Sequence, residues 1–157
     1  MKLLTETNVT LFNLGILLLR GTIGIIFFGI GAGKVFGWFG LPGLEMTLQF
    51  YANMGIPAPL AYLSIFTEFI GGILLIVGLL TRPAAFAIMI NMLVATILTL
   101  PMGFFTAAAQ PLSLMVSAVT ILLTGPMAYS VDYLLLRRGE AIPDLPERDE
   151  IIRTERR

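Results

Sequence analysis

One stretch of the sequence decides the fold: residues 64–82 read SIFTEFIGGILLIVGLLTR. The run is apolar enough to cross a bilayer, whose hydrocarbon core takes about 20 helical residues. It nevertheless contains one carboxylate, Glu68, and the adjacent glycines Gly71 and Gly72, and it stops just before Pro83. An acid within hydrocarbon is costly and rarely lacks a partner or a function. The first question is therefore which group Glu68 is paired with.

The composition places the whole chain in a membrane. Of its 157 residues, 57% are hydrophobic and only 13% are charged, whereas soluble proteins carry roughly 25% charged residues. The mean hydropathy is +0.90. This length accommodates about four spans with their connections and leaves no room for a separate soluble domain. The net charge of zero argues against nucleic acid as a partner, and the expected partners are the lipid bilayer and other membrane protein subunits.

Two residue types that carry much of protein chemistry are missing, because the chain has no cysteine and no histidine. Their absence excludes thiolate nucleophiles, dithiol redox chemistry, the usual haem ligands and most zinc sites. We therefore expect no metal site and no intrinsic cofactor. Any redox-active group has to come from another molecule, such as a quinone.

The apolar runs predict an all-α fold, an integral membrane four-helix bundle. The predicted spans are residues 11–36, 58–80, 83–100 and 112–136, with a kink at Gly125 and Pro126 in the last. Between the first two spans, aromatic and polar residues at helical spacing favour a short interfacial helix, with an irregular loop as the alternative.

The basic residues predict the orientation and the domain boundary. Four spans place eight of the ten Lys and Arg residues on the side of both termini, which predicts that both termini are cytoplasmic. Polar residues at 5–8 interrupt any signal-peptide core, so we expect the N-terminus to persist in the mature protein. We expect a membrane domain over residues 1–138, a polar cytoplasmic tail over 139–157, and location in a bacterial inner membrane.

Counting residues along the spans suggests partners for the buried charges. Arg20 would lie roughly 13 Å deep and Glu68 roughly 18 Å deep from the same side, so the two are predicted to form an ion pair. Because one orphaned charge is worse than none, losing Arg20 alone should harm folding more than losing both. A second pair is predicted between Arg82 and Asp132.

The same residues allow a structural and a functional interpretation. The ion pairs could serve only to fix the helix register, with Gly31, Gly71, Gly72 and Gly78 providing close helix contacts. Alternatively, Arg20, Glu68 and Asn91 line a cofactor-binding pocket for a quinone carbonyl or a lipid head group, or they pass protons. Composition and spacing leave these alternatives open.

Several ordered motifs indicate a family. They are Leu18-Leu19-Arg20, Gly31-Ala32-Gly33-Lys34-Val35-Phe36-Gly37, Met54-Gly55-Ile56-Pro57, Glu68-Phe69-Ile70-Gly71-Gly72, Gly78-Leu79-Leu80-Thr81-Arg82, and Gly125 to Asp132. With these motifs the chain resembles the DoxX family of small four-helix membrane proteins. That family often carries a histidine just before the glycine of its first-span motif, and this chain has Ile30 there. A role that needs an imidazole is therefore not expected here.

The resemblance implies an association with membrane redox enzymes. It favours an accessory or structural subunit of a membrane electron-transfer complex, respiratory or otherwise. The alternative is a quinone-interacting oxidoreductase subunit of the thiosulfate:quinone type. A small-solute transporter is less favoured, because the two halves of the sequence show no inverted repeat.

Overall fold

The protein is described by a computed structural model that covers residues 9–127 and 129–139. The described residues form six α-helices: α1 Val9–Phe36, α2 Gly43–Asn53, α3 Ala58–Val77, α4 Thr81–Thr99, α5 Ala109–Thr124 and α6 Val131–Gly139. A 3₁₀ turn at Leu100–Met102 and a π-helical turn at Phe104–Ala108 connect α4 to α5. No strand occurs in the part of the chain that the structure describes.

The four predicted spans are confirmed. Segments long and apolar enough to cross a membrane are Val9–Phe36, Ala58–Val77, Thr81–Met102 and Phe104–Thr124. The short helix predicted between the first two spans is present as α2. The tail from residue 140 lies outside the described residues, so the predicted domain boundary and the orientation of the termini stay predictions.

The predicted fourth span is wrong at both ends. It starts at Phe104 rather than near residue 112, and it stops at Thr124 rather than near residue 136. Gly125 takes a positive φ of 75°, and the following Pro126 has no N–H with which to continue a helix. The chain therefore breaks there instead of kinking, and a separate helix, α6, begins at Val131.

Glycines bring α1 and α3 together at backbone distance. A Cβ added to Gly31 would collide with the backbone of Phe69, and one added to Gly72 would collide with the backbone of Phe28. A Cβ at Gly24 would likewise lie 2.9 Å from the backbone nitrogen of Ile76. Small residues at these positions permit the close helix contact that stabilises bundles in lipid. The contacts fix one antiparallel register between α1 and α3.

This register offsets the two helices along the bundle axis. It places Arg20 level with Leu80, beyond the end of α3, and Phe36 level with Ser64. Helix α1 ends at Phe36 because Gly37 takes the left-handed conformation that closes helices. It therefore stops about 9 Å short of the start of α3 at Ala58. We call this the distal end of the bundle, and the opposite end the terminal end.

Candidate functional site

Glu68 is buried in α3 and forms an ion pair with Lys34 of α1. The Lys34 Nζ lies 2.7 Å from Glu68 Oε2 and donates a hydrogen bond to Oε1 at 2.9 Å. The predicted partner of Glu68 was Arg20, and that prediction is wrong. In the observed register Glu68 is level with Ala32, which is 12 residues, or roughly 18 Å, along α1 from Arg20. The error arose because depth was counted from the start of the apolar run, while the glycine contacts set the actual register.

Three polar side chains surround this ion pair. Lys34 also donates to the Tyr51 hydroxyl at 3.0 Å, and the Asn91 amide donates to Glu68 Oε1 at 3.3 Å. The Ser64 hydroxyl donates to Asn91 Oδ1 at 2.8 Å. We call Lys34, Tyr51, Ser64, Glu68 and Asn91 the distal cluster. It joins α1, α2, α3 and α4 through side-chain contacts.

The local sequence explains how these groups meet. Lys34 lies in the last turn of α1, where a cation is favoured by the negative end of the helix dipole. Gly71 lets α4 approach α3, because a Cβ there would lie 3.1 Å from Ile88, and Asn91 follows one turn further along α4. The positive-φ residues Gly37 and Gly43 turn the chain back after α1, so that Tyr51 of α2 reaches Lys34.

Arg20 lies at the terminal end instead. Its side chain is 1% exposed, and it donates hydrogen bonds to the backbone carbonyls of Pro126 at 2.9 Å and Tyr129 at 2.8 Å. Gly78 takes a positive φ beside it, and a Cβ there would lie 2.8 Å from the guanidinium. Arg20 thus holds the loop between α5 and α6 against the turn between α3 and α4.

Asp132 completes this second group, but not with the predicted partner Arg82. Its carboxylate accepts hydrogen bonds from the backbone N–H groups of Leu80 and Thr81, both at 2.8 Å. These are free donors at the start of α4, which has no side-chain cap of its own. Arg82 lies against Gly125, and no ion pair between Arg82 and Asp132 occurs among the described residues. We call Arg20, Asp132 and their backbone partners the terminal cluster.

The environment of Asp132 shifts its acidity. Burial by itself would raise the pKa of the carboxyl group. The hydrogen bonds from Thr81 and Leu80, together with the positive charge of Arg20, outweigh burial and hold the pKa of Asp132 below its ordinary value. The carboxylate is therefore ionised at neutral pH.

A cavity of about 620 Å³ lies at the distal end, with the distal cluster on its wall. It exists because α1 stops short of the distal end, so that α2 and the start of α5 only partly close the space beside α3 and α4. Its wall is mostly apolar, and Leu63 and Val94 line it while remaining 63% and 48% exposed. The cavity is therefore continuous with the outer, lipid-facing surface of α3 and α4.

The structure brings together only two of the three residues predicted to bind a cofactor. Glu68 and Asn91 are in contact and line the cavity, whereas Arg20 lies at the other end of the bundle. Sequence reasoning missed Lys34 and Tyr51 as members of the site. Lys34 could have been identified as a candidate, because it is a cation in the last turn of an apolar span. Nothing in the sequence places Tyr51 in the site.

Comparison with known proteins agrees with this architecture. The DoxX family profile matches residues 15–101. The chain belongs to the DoxX family. It is 34% identical to "Putative oxidoreductase CatD" of Bacillus subtilis over 77% of this chain and 87% of that protein. It is 33% identical to the inner membrane protein YqjF of Escherichia coli over 80% of this chain and 95% of that protein. No solved structure matches it.

The family match covers the residues that form the site. Lys34, Tyr51, Ser64, Glu68 and Asn91 all fall within the matched segment, while Asp132 and α6 fall outside it. As a DoxX family member with four spanning segments, the chain is an integral membrane protein.

Proposed function

We propose that this DoxX protein is a quinone-binding subunit of a membrane electron-transfer system. The observation that carries the proposal is the cavity, which joins the polar distal cluster to an apolar wall that opens onto the outer surface of α3 and α4. Its volume of about 620 Å³ is within the range of small-molecule sites, roughly 300–1,000 Å³. A quinone has the matching chemistry, with carbonyl oxygens on its ring and an apolar tail.

The residues of the cavity fit such a ligand. The apolar wall of α3 and α4 would hold the tail, and polar groups beside the ion pair would bind the ring oxygens. A quinone supplies the electron-carrying group in a chain that has neither cysteine nor histidine. The name of the relative CatD describes an oxidoreductase, which supports a redox association.

An accessory role in a larger complex is compatible with this proposal. The quinone site would then serve a partner subunit that carries the remaining redox groups. The distal cluster contributes binding and orientation, since its side chains undergo no electron transfer of their own. We propose this subunit arrangement as the context of the site.

The test is whether the protein retains a quinone when it is taken from its own membrane. The protein is extracted with styrene–maleic acid into native nanodiscs, and quinone per protein is quantified by mass spectrometry. We expect close to one quinone per chain above the content of the surrounding lipid.

A matched pair of variants ties that quinone to the cavity. Val94→Trp places bulk in the cavity wall and should remove the retained quinone, whereas Val116→Trp adds the same bulk at an exposed position of α5 away from it. Equal quinone content in wild type, Val94→Trp and bulk lipid would rule out the proposed function. Co-purified phospholipid in place of quinone would instead assign the cavity to a lipid head group.

A further inference from the structure

The ammonium group of Lys34 faces acceptors inside the cluster, although Glu68 Oε2 contacts it only as an ion pair and accepts no hydrogen bond within the described residues. The ammonium group of Lys34 has three hydrogens, and both oxygens of Glu68 and the hydroxyl of Tyr51 lie within 3.0 Å of it. Glu68 Oε1 additionally accepts from Asn91. A ligand that took a hydrogen bond from Lys34 would have to compete with these three nearby oxygens. The ion pair therefore holds the neighbouring polar side chains in position.

Other polar groups of the cavity have bonding capacity to spare. Asn91 uses one amide hydrogen on Glu68 and accepts from Ser64 at Oδ1, which leaves its second N–H free. The Thr67 hydroxyl and the Gln110 amide line the cavity and make no hydrogen bond within the described residues. Thr67 is unusual in this respect, since Thr96 and Thr99 of α4 donate to carbonyls of the preceding turn.

These free groups lie on three different helices around one space. Thr67 belongs to α3 and adjoins Glu68, Asn91 belongs to α4, and Gln110 is in the first turn of α5. Polar groups in an apolar wall are costly unless they are satisfied, and here Thr67 and Asn91 are half-buried while Gln110 is exposed at the rim of the cavity. A ligand with hydrogen-bond acceptors satisfies all three without disturbing the ion pair.

We infer that Thr67, Asn91 and Gln110 are the specificity-determining residues that bind the ring oxygens of the quinone, and that Lys34 and Glu68 are positioning residues that hold Asn91. This inference rests on the proposed function and names the residues that recognise the quinone. The ligand enters sideways from the bilayer between α3 and α4, where Leu63 and Val94 form the exposed edge of the cavity. The apolar tail remains in lipid beside that edge.

The experiment measures the dissociation constant of decylubiquinone on protein in nanodiscs, corrected for partition into lipid. Thr67→Val and Gln110→Met keep the side-chain size and remove the hydrogen-bonding groups. Each should weaken binding about tenfold, the effect of one lost hydrogen bond. The double variant should weaken it about a hundredfold, because the two residues lie on different helices, α3 and α5, and losses at independent positions add in free energy.

Thr96→Val is the control, since the Thr96 hydroxyl bonds to its own helix and does not line the cavity. It should bind like wild type, and the thermal stability of all ligand-free variants should be unchanged. If wild type binds decylubiquinone and Thr67→Val and Gln110→Met bind equally well, the recognition inference is wrong while the proposed function stands. If wild type does not bind it, the proposed function fails and this inference fails with it.

Discussion

The terminal and distal clusters solve the same problem in different ways. Each holds a cation shielded from solvent, the buried Arg20 in one and the half-buried Lys34 in the other. Arg20 donates to backbone carbonyls of a loop folded around it, whereas Lys34 donates to side chains of two other helices, Tyr51 of α2 and Glu68 of α3. The terminal cluster is closed by main chain, while the distal cluster borders a cavity.

The difference shows that the partners of a buried charge, more than the charge itself, decide whether its surroundings can bind a ligand. Backbone carbonyls cannot be released without unfolding the loop, so the terminal cluster has a structural role. A side-chain network beside an open space can hold neighbouring donors ready for a ligand. An ionisable residue within a span is therefore a site only where its surroundings leave room and free hydrogen-bonding groups.

The largest effect is expected for Arg20→Leu. The substitution removes two charge-assisted hydrogen bonds and leaves the carbonyls of Pro126 and Tyr129 unsatisfied, at a cost of about 4 kcal/mol. Unfolding in mixed micelles measures this loss. Because Arg20 does not contact Glu68, adding Glu68→Gln should lower stability further and additively. A double variant more stable than Arg20→Leu would instead support the ion pair between Arg20 and Glu68 that was first predicted from the sequence.

Lys34→Met should cost somewhat less, about 3 kcal/mol, because Glu68 is left buried but can take up a proton. The double variant Lys34→Met with Glu68→Gln should regain about 1–3 kcal/mol relative to the sum of the single changes. The same unfolding assay, applied to wild type, both single variants and the double variant, measures this coupling. Absence of any coupling between the two positions would show that the distal ion pair does not form.

The register that separates the clusters can be tested with glycines. Gly31→Ala would push α1 away from the backbone of Phe69 and should cost about 2 kcal/mol. Gly29→Ala on the same helix meets nothing within 4 Å and should stabilise slightly, by up to about 1 kcal/mol. Thermal melts of the two variants make the comparison. If both alanines have the same effect, the close contact between α1 and α3 is wrong.

The smallest effect concerns pH and Asp132. Its lowered pKa means that its stabilisation is complete above the ordinary aspartate value of about 4 and is lost as pH falls through the lower folded value. Asp132→Asn should therefore cost up to about 1 kcal/mol at pH 7, since the group is partly exposed to solvent. The difference in melting temperature from wild type should shrink toward pH 3. A difference that does not change with pH would mean that the charge contributes nothing.

Much of the architecture followed from the sequence because hydrocarbon imposes strict conditions on it. Apolar runs near 20 residues and breaks at Gly37 and Pro83 were enough to predict four spans. The end of the fourth span could not be placed in this way, since a proline within an apolar run is compatible with either a kink or a stop. The helix stops at Thr124 because Gly125 takes a positive φ and Pro126 lacks an N–H, and Arg20 then bonds the loop that follows.

The pairing of charges was beyond the sequence for a different reason. A span longer than the membrane can slide along its neighbour, and counting from its apolar edge gives no register. Helix α1 has 28 residues, and three close glycine contacts with α3 decide which part lies at which depth. Glu68 could be identified as a buried acid, but its partner depended on packing. Tyr51 was unpredictable because it reaches the site through the chain reversal before α2.

The early end of α1 has a consequence for the membrane as well. Four spanning helices occupy one half of the bilayer, but over about the last 9 Å of the distal half only three continue alongside the short α2. We therefore expect the protein to displace less lipid from the leaflet at the distal end than from the other leaflet. Such a difference couples the packing of the distal end to bilayer curvature, so that lateral pressure in the distal leaflet acts on the same helices that enclose the cavity.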